Sequence, residues 1–392
     1  MHLTMASIHY DVAVVGLGAL GSATVFQLSR RGIRVLGLDQ FTPPHKFGST
    51  HGSTRITRQA IGEGSHLTPL VLRSGALWRE IEEETGASLL AASGVLIISS
   101  AAKTSCTHVA NFFNNTVTAA RDHGIPHEIW DAGSIRLRFP QFRVHDHEIG
   151  YFEPGGGFLR PEACVAAQLA LARRNGAEIR LDEQVTGFAP RADNVLITTA
   201  KGNYVADRLV VAAGPWLPGL LGADLAHLFR IFPQKQFWFT PHDDLFQQDR
   251  FPVFIWELSG PKQAIYGFPD IDGSGVKIAT EQYESMAAPT GAVEEPETMD
   301  CRSMYDSYVA PFLLGLDATC KQGSTCFYTV TPDFGFVLDH HPRSDRVVIA
   351  SCCSGHGFKH SAALGEAAAE LVIDGQSRID VTPFSLSRLL AR

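Results

Sequence analysis

The 392-residue chain has no run of basic residues, and its formal net charge at pH 7 is −8. A polyanion would find no cationic face here, so nucleic acid is excluded as a partner and nothing favours an anionic membrane surface. No window approaches the roughly twenty apolar residues that cross a bilayer, and Met1 to His9 lacks the basic region and long apolar run of a secretory signal. The C-terminus, Leu389 to Arg392, is not a Ser-Lys-Leu-type address, which leaves the cytoplasm as the expected location. Seven cysteines (Cys106, Cys164, Cys301, Cys320, Cys326, Cys352 and Cys353) show no metal-ligand spacing. Their odd number does not suggest a secreted disulfide framework, and a reducing compartment is the simplest reading. Internal repeats and low-complexity segments are also absent. What is present is 45% hydrophobic and 19% charged residues, enough apolar surface for a large core. At this length two domains are expected, because a single core rarely grows past about 250 to 300 residues.

The most informative stretch runs from Tyr10 to Asp39. Val12, Val14 and Val15 suit a buried parallel strand, and the apolar positions Leu20, Ala23, Phe26 and Leu28 roughly follow a helical period up to Gly32. Ile33 to Leu38 reads as a second strand ending at Asp39. Between the first strand and the helix, Gly16, Gly18 and Gly21 supply a tight turn, a close backbone approach to a pyrophosphate, and close helix-to-strand packing. An acid about twenty residues further on is placed to accept from a ribose hydroxyl, which favours FAD or NAD over a 2′-phosphorylated cofactor. These residues alone leave FAD and NAD open.

A polar loop from Gly48 to Gly64 follows, holding Arg55 and Arg58. Thr68 to Glu83 has helical periodicity, Gly94 to Ser99 reads as a strand, Ala101 to His127 as mostly helical, and Glu128 to Glu153 as irregular. Pro161 near a helix start and Asn175-Gly176 at its end bracket another helix. Strands are expected over Glu178 to Val185, Val195 to Thr199 and Tyr204 to Ala212, the last entering a glycine turn. From about Leu217 to Gly323, aromatic-rich strands predict a largely antiparallel sheet capped by helices. Cys326 to Asp339 reads as strand, turn and strand. Arg346 to Ser351 is a further strand leading through Ser354-Gly-His-Gly-Phe-Lys359 into an alanine-rich helix, whose N-terminus offers amides and a partial positive charge to an anion.

Taken together, the glycine motif, Pro43-Pro-His45, Gly48-Ser-Thr-His-Gly-Ser-Thr-Arg55, Arg58 with Gly62-Glu-Gly64, Tyr266-Gly-Phe-Pro269, Lys277, Cys326-Phe-Tyr-Thr329 and Ser354-Gly-His-Gly-Phe-Lys359 resemble one family across nearly the whole chain. It is the monomeric sarcosine oxidase and N-methyltryptophan oxidase family, within the D-amino-acid-oxidase-like flavoproteins. The resemblance implies an α/β fold in which a Rossmann-like FAD-binding domain (1–88, 150–222 and 324–392) is joined to an α+β substrate domain with an antiparallel sheet (89–149 and 223–323). It implies a monomeric FAD-dependent oxidase that converts the C–N bond of a secondary amino acid to an imine and passes the electrons to O₂, giving H₂O₂. FAD would be attached through Cys326; a buried cysteine seen alone is more often a small apolar residue. The cofactor site would comprise Gly16, Gly18, Leu20, Gly21, Asp39, Gln40, His51, Gly52, Thr54, Arg55, Val185, Ala213, Gly214, Trp216, Gly355, Gly357, Phe358 and Lys359.

Arg58 and Lys359 are implied as the groups that hold the substrate carboxylate, which needs cationic partners once it leaves water. Tyr266 and Tyr328 would line the same pocket. Lys277 is implied as the cation that steadies charge appearing on O₂, with His51 and Arg55 beside the flavin. In its strand Val276 and Ile278 would point one way and Lys277 the other. Four positions depart from the family. Glu281 replaces a histidine, Leu67 replaces a tyrosine, and Cys352-Cys353 replaces a glycine and a larger apolar residue. A carboxylate at Glu281 would hold a second cationic group or tune an amine proton, and Leu67 would leave apolar room, so the expected substrate is an N-alkyl or cyclic amino acid larger than sarcosine. The alternatives are a dehydrogenase of the same fold with another electron acceptor, and a flavin-binding protein without turnover.

Overall fold

The structure, a computed structural model, describes residues 9–100, 109–258, 264–288 and 294–390. Most of the Met1–His9 leader, Cys106, residues 101–108 of the segment read as helical, and the last two residues lie outside them. The centre of the first layer is a parallel sheet. The strand Tyr10–Val15 pairs in parallel with Val35–Leu38 on one side and Gly202–Val211 on the other. Glu178–Arg180 and Ser344–Ser351 extend it in parallel at the two flanks. Strands Val185–Pro190, Val195–Thr199 and Val337–His341 add antiparallel edges. Strands buried on both faces must be apolar throughout, and Val12, Ala13, Val14 and Val15 are all buried.

The helix Ala19–Ser29 packs against this sheet and against the helices Pro161–Arg174 and Ser361–Asp374. Its residues from Gly21 to Ser29 are all buried, so it has no polar outer face. Close packing is visible at Gly365, where a Cβ would fall 2.3 Å from the Ala23 Cβ. The helix Thr68–Thr85 carries its apolar stripe, including Leu70, Leu77, Trp78 and Ile81, into the same core.

A second eight-stranded sheet runs in the order Leu316–Val330, Arg230–Pro241, Val276–Thr280, Ile265–Phe268, Val253–Trp256, Val95–Ser100, Glu148–Glu153 and Glu128–Asp131. It is antiparallel except where Val253–Trp256 runs parallel to Val95–Ser100. A small sheet of Arg55–Thr57, Gly157–Leu159 and Leu90–Ala91 holds the arginine loop.

Three expectations are corrected. The segment 128–153 is ordered into two strands and the helix Ala132–Arg138, which Asp131 caps by accepting from Ser134 N. A two-turn helix shows too few repeats for its period to register, and cross-strand stacking of Trp130 on Phe152 at 4.4 Å holds the region. The strand expected over Glu178 to Val185 is broken at Asp182, whose φ of 53° leaves the extended region. Cys301 and Cys320 form a disulfide, because the fold lays the helix Thr298–Met304 against the long strand Leu316–Val330.

Candidate active site

Two cavities meet the residues singled out by sequence. The larger, about 440 Å³, lies along the carboxyl ends of the parallel strands, where open α/β sheets bind ligands. Gly16, Gly18 and Leu20 line one wall, with Asp39 and Gln40 beside them; Val185, Ala213, Gly214 and Trp216 line the opposite side. Gly18 offers the helix Ala19–Ser29 no side-chain cap, and Ala19 N makes only a long bond to Thr50 Oγ1, 3.4 Å, so this helix N-terminus can turn amides toward an anion. Gly18 has an ordinary extended backbone, with φ −70°, and a Cβ there would meet only Thr50 Oγ1, at 3.5 Å. Nothing among the described residues requires glycine at that point, whereas a ligand lying against the backbone would. Gly21 differs: its Cβ would fall 1.7 Å from Gly16 O, so its role is packing. Asp39 accepts from Leu17 N at 2.7 Å and Phe41 N at 2.8 Å, and burial pushes its carboxyl up to about 6 against those two hydrogen bonds. These features fit the ADP half of FAD.

The smaller cavity, about 110 Å³, is lined by charge and aromatic hydroxyls: Arg55, Arg58, Lys277 and Lys359, the acids Glu63 and Glu281, and Tyr266 and Tyr328. Thr54, Gly355 and Phe358 complete parts of its wall. Arg58 donates to Ala60 O and pairs with Glu63. Its guanidinium lies 4.9 Å from the centre of the Phe112 ring. Lys359 Nζ donates to His356 O at 2.7 Å and to Glu63 at 3.5 Å. Burial lowers this lysine to about 8, with Glu63 opposing the shift. Two buried cations therefore share one internal carboxylate, an arrangement open to a second carboxylate from a ligand.

Lys277 faces this cavity while Val276 and Ile278 sit in the hydrophobic core behind it, as the strand pleat requires. Its Nζ donates to Gly52 O at 2.9 Å and Thr54 O at 3.1 Å. Burial, with Arg55 adding repulsion, drives it well below the usual lysine range. Arg55 is fixed by bonds to Thr54 O and Ser49 O, both 2.8 Å. The loop that carries these groups turns at Gly52, with φ 96°, where a Cβ would fall 2.7 Å from Gln236 Oε1. Its amides at Gly52 and Ser53 are held by Glu162.

Cys326 is buried in the long strand, and Gln236 Nε2 donates to its sulfur at 3.1 Å. Burial raises the thiol, partly offset by Arg55 and Lys277. His51 is also buried, and that burial, with Arg55 and Lys277 nearby, takes it down to about 3. Among the described residues His51 Nε2 and Gln236 Oε1 have no hydrogen-bond partner, and a bound group with polar edges would satisfy them.

Some expected residues are not lining positions. His51, Gly52 and Cys326 stand behind the cavity walls. Leu67 ends the short 3₁₀ turn Ser65–Leu67 just before the helix Thr68–Thr85; it is buried in the core with that helix's apolar stripe and does not line the smaller cavity. Gly357 lines neither cavity, and its lack of a side chain serves packing, since a Cβ would fall 1.6 Å from Cys352 O. Glu63 and Tyr283 were given no role by sequence. Glu63 lies five residues after Arg58 between two glycines, which is the signal available for it. Tyr283 has none: its hydroxyl approaches Gly355 through the fold, 3.2 Å from where a Cβ would lie. Cys352 and Cys353 line the larger cavity.

A dinucleotide cleft opening beside a small pocket of buried cations defines a flavoenzyme of the amino-acid oxidase type. The family profile described as DAO, FAD dependent oxidoreductase, matches residues 11–371, and the chain belongs to that family. A monomeric sarcosine oxidase from Streptomyces avermitilis is 38% identical, covering 97% of this chain and 98% of that relative. An N-methyl-L-tryptophan oxidase from Yersinia pestis is 35% identical, covering 97% and 99%. Among solved structures, NikD, described as an unusual amino acid oxidase essential for nikkomycin biosynthesis, aligns with a TM-score of 0.83 at 24% identity, covering 97% of this chain and 98% of that one. That likeness speaks for the fold. No helix among the described residues is long and apolar enough to cross a membrane.

Proposed function

We propose that this FAD-dependent enzyme oxidises a secondary amino acid, N-alkylated or cyclic and larger than sarcosine, to the imine, and reduces O₂ to H₂O₂. The observation that carries this reading is the smaller cavity, where Arg58 and Lys359 are both buried and already arranged around one carboxylate. The near-full-length relatives named as oxidases of sarcosine and N-methyl-L-tryptophan point the same way. When bound, FAD would supply the acceptor for the hydrogen and electrons of the carbon next to nitrogen and their route onward. The chain supplies everything else. Gly16, Gly18 and the N-terminus of the helix Ala19–Ser29 hold the pyrophosphate, and Asp39 the ribose. Arg58 and Lys359 bind the substrate carboxylate and so orient the carbon, while Tyr266, Tyr328 and Phe358 exclude water. Lys277, kept dry by Phe268 at 4.8 Å and Trp238 at 5.2 Å, faces the site where O₂ gains negative charge.

We assign Cys326 as the point of covalent attachment. Cys320, the nearest alternative in sequence, is occupied by its disulfide, and the Gln236 bond holds the Cys326 sulfur in one position. Residues 1–88, 150–222 and 324–392 form the FAD-binding domain in this reading, 89–149 and 223–323 the substrate domain, and the enzyme acts as a cytoplasmic monomer. Acid precipitation of fully loaded protein tests the attachment: the yellow colour stays in the pellet, and colour wholly in the supernatant refutes it. A side-by-side panel of sarcosine, larger N-methyl amino acids and cyclic imino acids tests the substrate class, which fails if sarcosine is turned over best.

A further inference from the structure

The smaller cavity contains an acid that the reading above leaves unused. Glu281 lies one residue beyond the strand Val276–Thr280. Alternation along the strand puts Lys277, Ala279 and Glu281 on one face, and Tyr266 pairs with Ala279 in the neighbouring strand. Tyr266 thus stands between the lysine and the acid, and all three line the cavity. Glu281 hydrogen-bonds with Tyr283 and acts electrostatically on Tyr266, Tyr328 and Lys359. Among the described residues Arg55, Arg58, Glu63, Lys277 and His356 are the other titratable groups on the wall. The two acids have different occupations: Glu63 bridges Arg58 and Lys359, whereas Glu281 sits among tyrosine hydroxyls.

An amino acid with a secondary amine is an ammonium zwitterion at neutral pH, since alkylammonium groups titrate near about 10. Hydride cannot leave the adjacent carbon until nitrogen has a free electron pair. We propose that Glu281 receives the substrate's ammonium group and is the base that removes its proton. The ammonium N–H bond breaks and an O–H bond forms on Glu281. The freed nitrogen pair becomes the second bond of C=N as the C–H bond breaks, and its electron pair leaves as hydride to the FAD. The proton on Glu281 returns to solvent after product leaves. Arg58 and Lys359 for the carboxylate and Glu281 for the ammonium, all on the wall of one cavity, then match the two charges of a zwitterion. This proposal rests on the secondary-amine oxidase reading.

The test uses holoenzyme and its Glu281→Gln and Glu281→Asp variants, with flavin content and absorbance spectrum as folding controls. Two unreactive probes, trimethylglycine and (methylthio)acetate, differ in carrying a cation or a neutral sulfur at the nitrogen position. Wild type binds trimethylglycine at least tenfold more tightly than (methylthio)acetate, and Glu281→Gln removes that preference. The second readout is the anaerobic second-order rate of flavin reduction by the fastest of sarcosine, N-methyl-L-alanine and L-proline between pH 6 and 8. It stays level in wild type and Glu281→Asp. In Glu281→Gln it rises tenfold per pH unit, hundredfold in all, because only the neutral amine reacts. A level profile in Glu281→Gln overturns the proposal. If none of the three amino acids reduces the wild-type flavin, the oxidase reading has failed, and the probe preference still decides whether Glu281 is an ammonium site: an equal preference in wild type and Glu281→Gln overturns it.

Discussion

Gly18 and Gly21 lie one helical turn apart and carry opposite predictions. In Gly18→Ala the new methyl enters space where the nearest protein atom outside its immediate chain neighbours is 3.5 Å away, on a backbone that alanine adopts freely. The protein itself should lose no more than about 0.5 kcal/mol, as for substitutions that touch nothing. The cofactor should suffer, because the methyl stands between the helix amides and the pyrophosphate. Losing one or two charge-assisted hydrogen bonds, each about 1.5–3 kcal/mol, weakens FAD binding roughly tenfold to ten-thousandfold. In Gly21→Ala the methyl falls 1.7 Å from a backbone oxygen, which cannot rotate aside. Overpacking of this kind costs about 1–3 kcal/mol or more and lowers stability with or without the cofactor. The assay is FAD content of each purified variant, its affinity on reconstitution, and thermal unfolding of the FAD-free protein. Gly18→Ala protein that binds FAD like wild type would refute the placement of the pyrophosphate. Loss of FAD-free stability in Gly18→Ala equal to that in Gly21→Ala would refute the distinction.

Two further outcomes follow from the cations. Lys277→Met removes the charge while nearly preserving side-chain length; anaerobic flavin reduction should stay within a few-fold of wild type while reoxidation by O₂ slows about 10²- to 10³-fold, the usual cost of one electrostatic stabiliser, as stopped-flow absorbance would show. Lys359, lowered by burial to about 8, binds a carboxylate only when protonated. Ligand binding raises its pKa, so affinity for (methylthio)acetate should be full below about pH 8 and fall tenfold per unit above it, and Lys359→Met should lose that inflection. An affinity level to pH 10 in wild type would contradict the role of this lysine.

The parts of the fold written in local sequence were legible. Valines buried on both faces and three glycines with separate steric duties identified the first strand, turn and helix without any long-range information. Lys277 was legible through the family resemblance, which alternation within five residues supported by setting it opposite Val276 and Ile278. Positions whose meaning depends on distant packing were not. Leu67 reads as a cavity residue in sequence, whereas the 3₁₀ turn that it ends leaves it in the core. Gly357 looked like a cofactor glycine, yet it answers to the carbonyl of Cys352. The Cys301–Cys320 disulfide spans 19 residues that return only because a helix packs on the long strand. Glu63 joins the smaller cavity, and Tyr283 comes up behind Gly355, through loops whose paths no periodicity announces.

Anaerobic mixing of the holoenzyme with excess secondary amino acid, followed by air, tests the central claim most directly. The account predicts that the oxidised flavin absorbance bleaches completely before O₂ enters, and that readmitted O₂ restores it with one H₂O₂ per flavin. Flavin that stays oxidised with every secondary amino acid offered, or that bleaches and returns without H₂O₂, would contradict it.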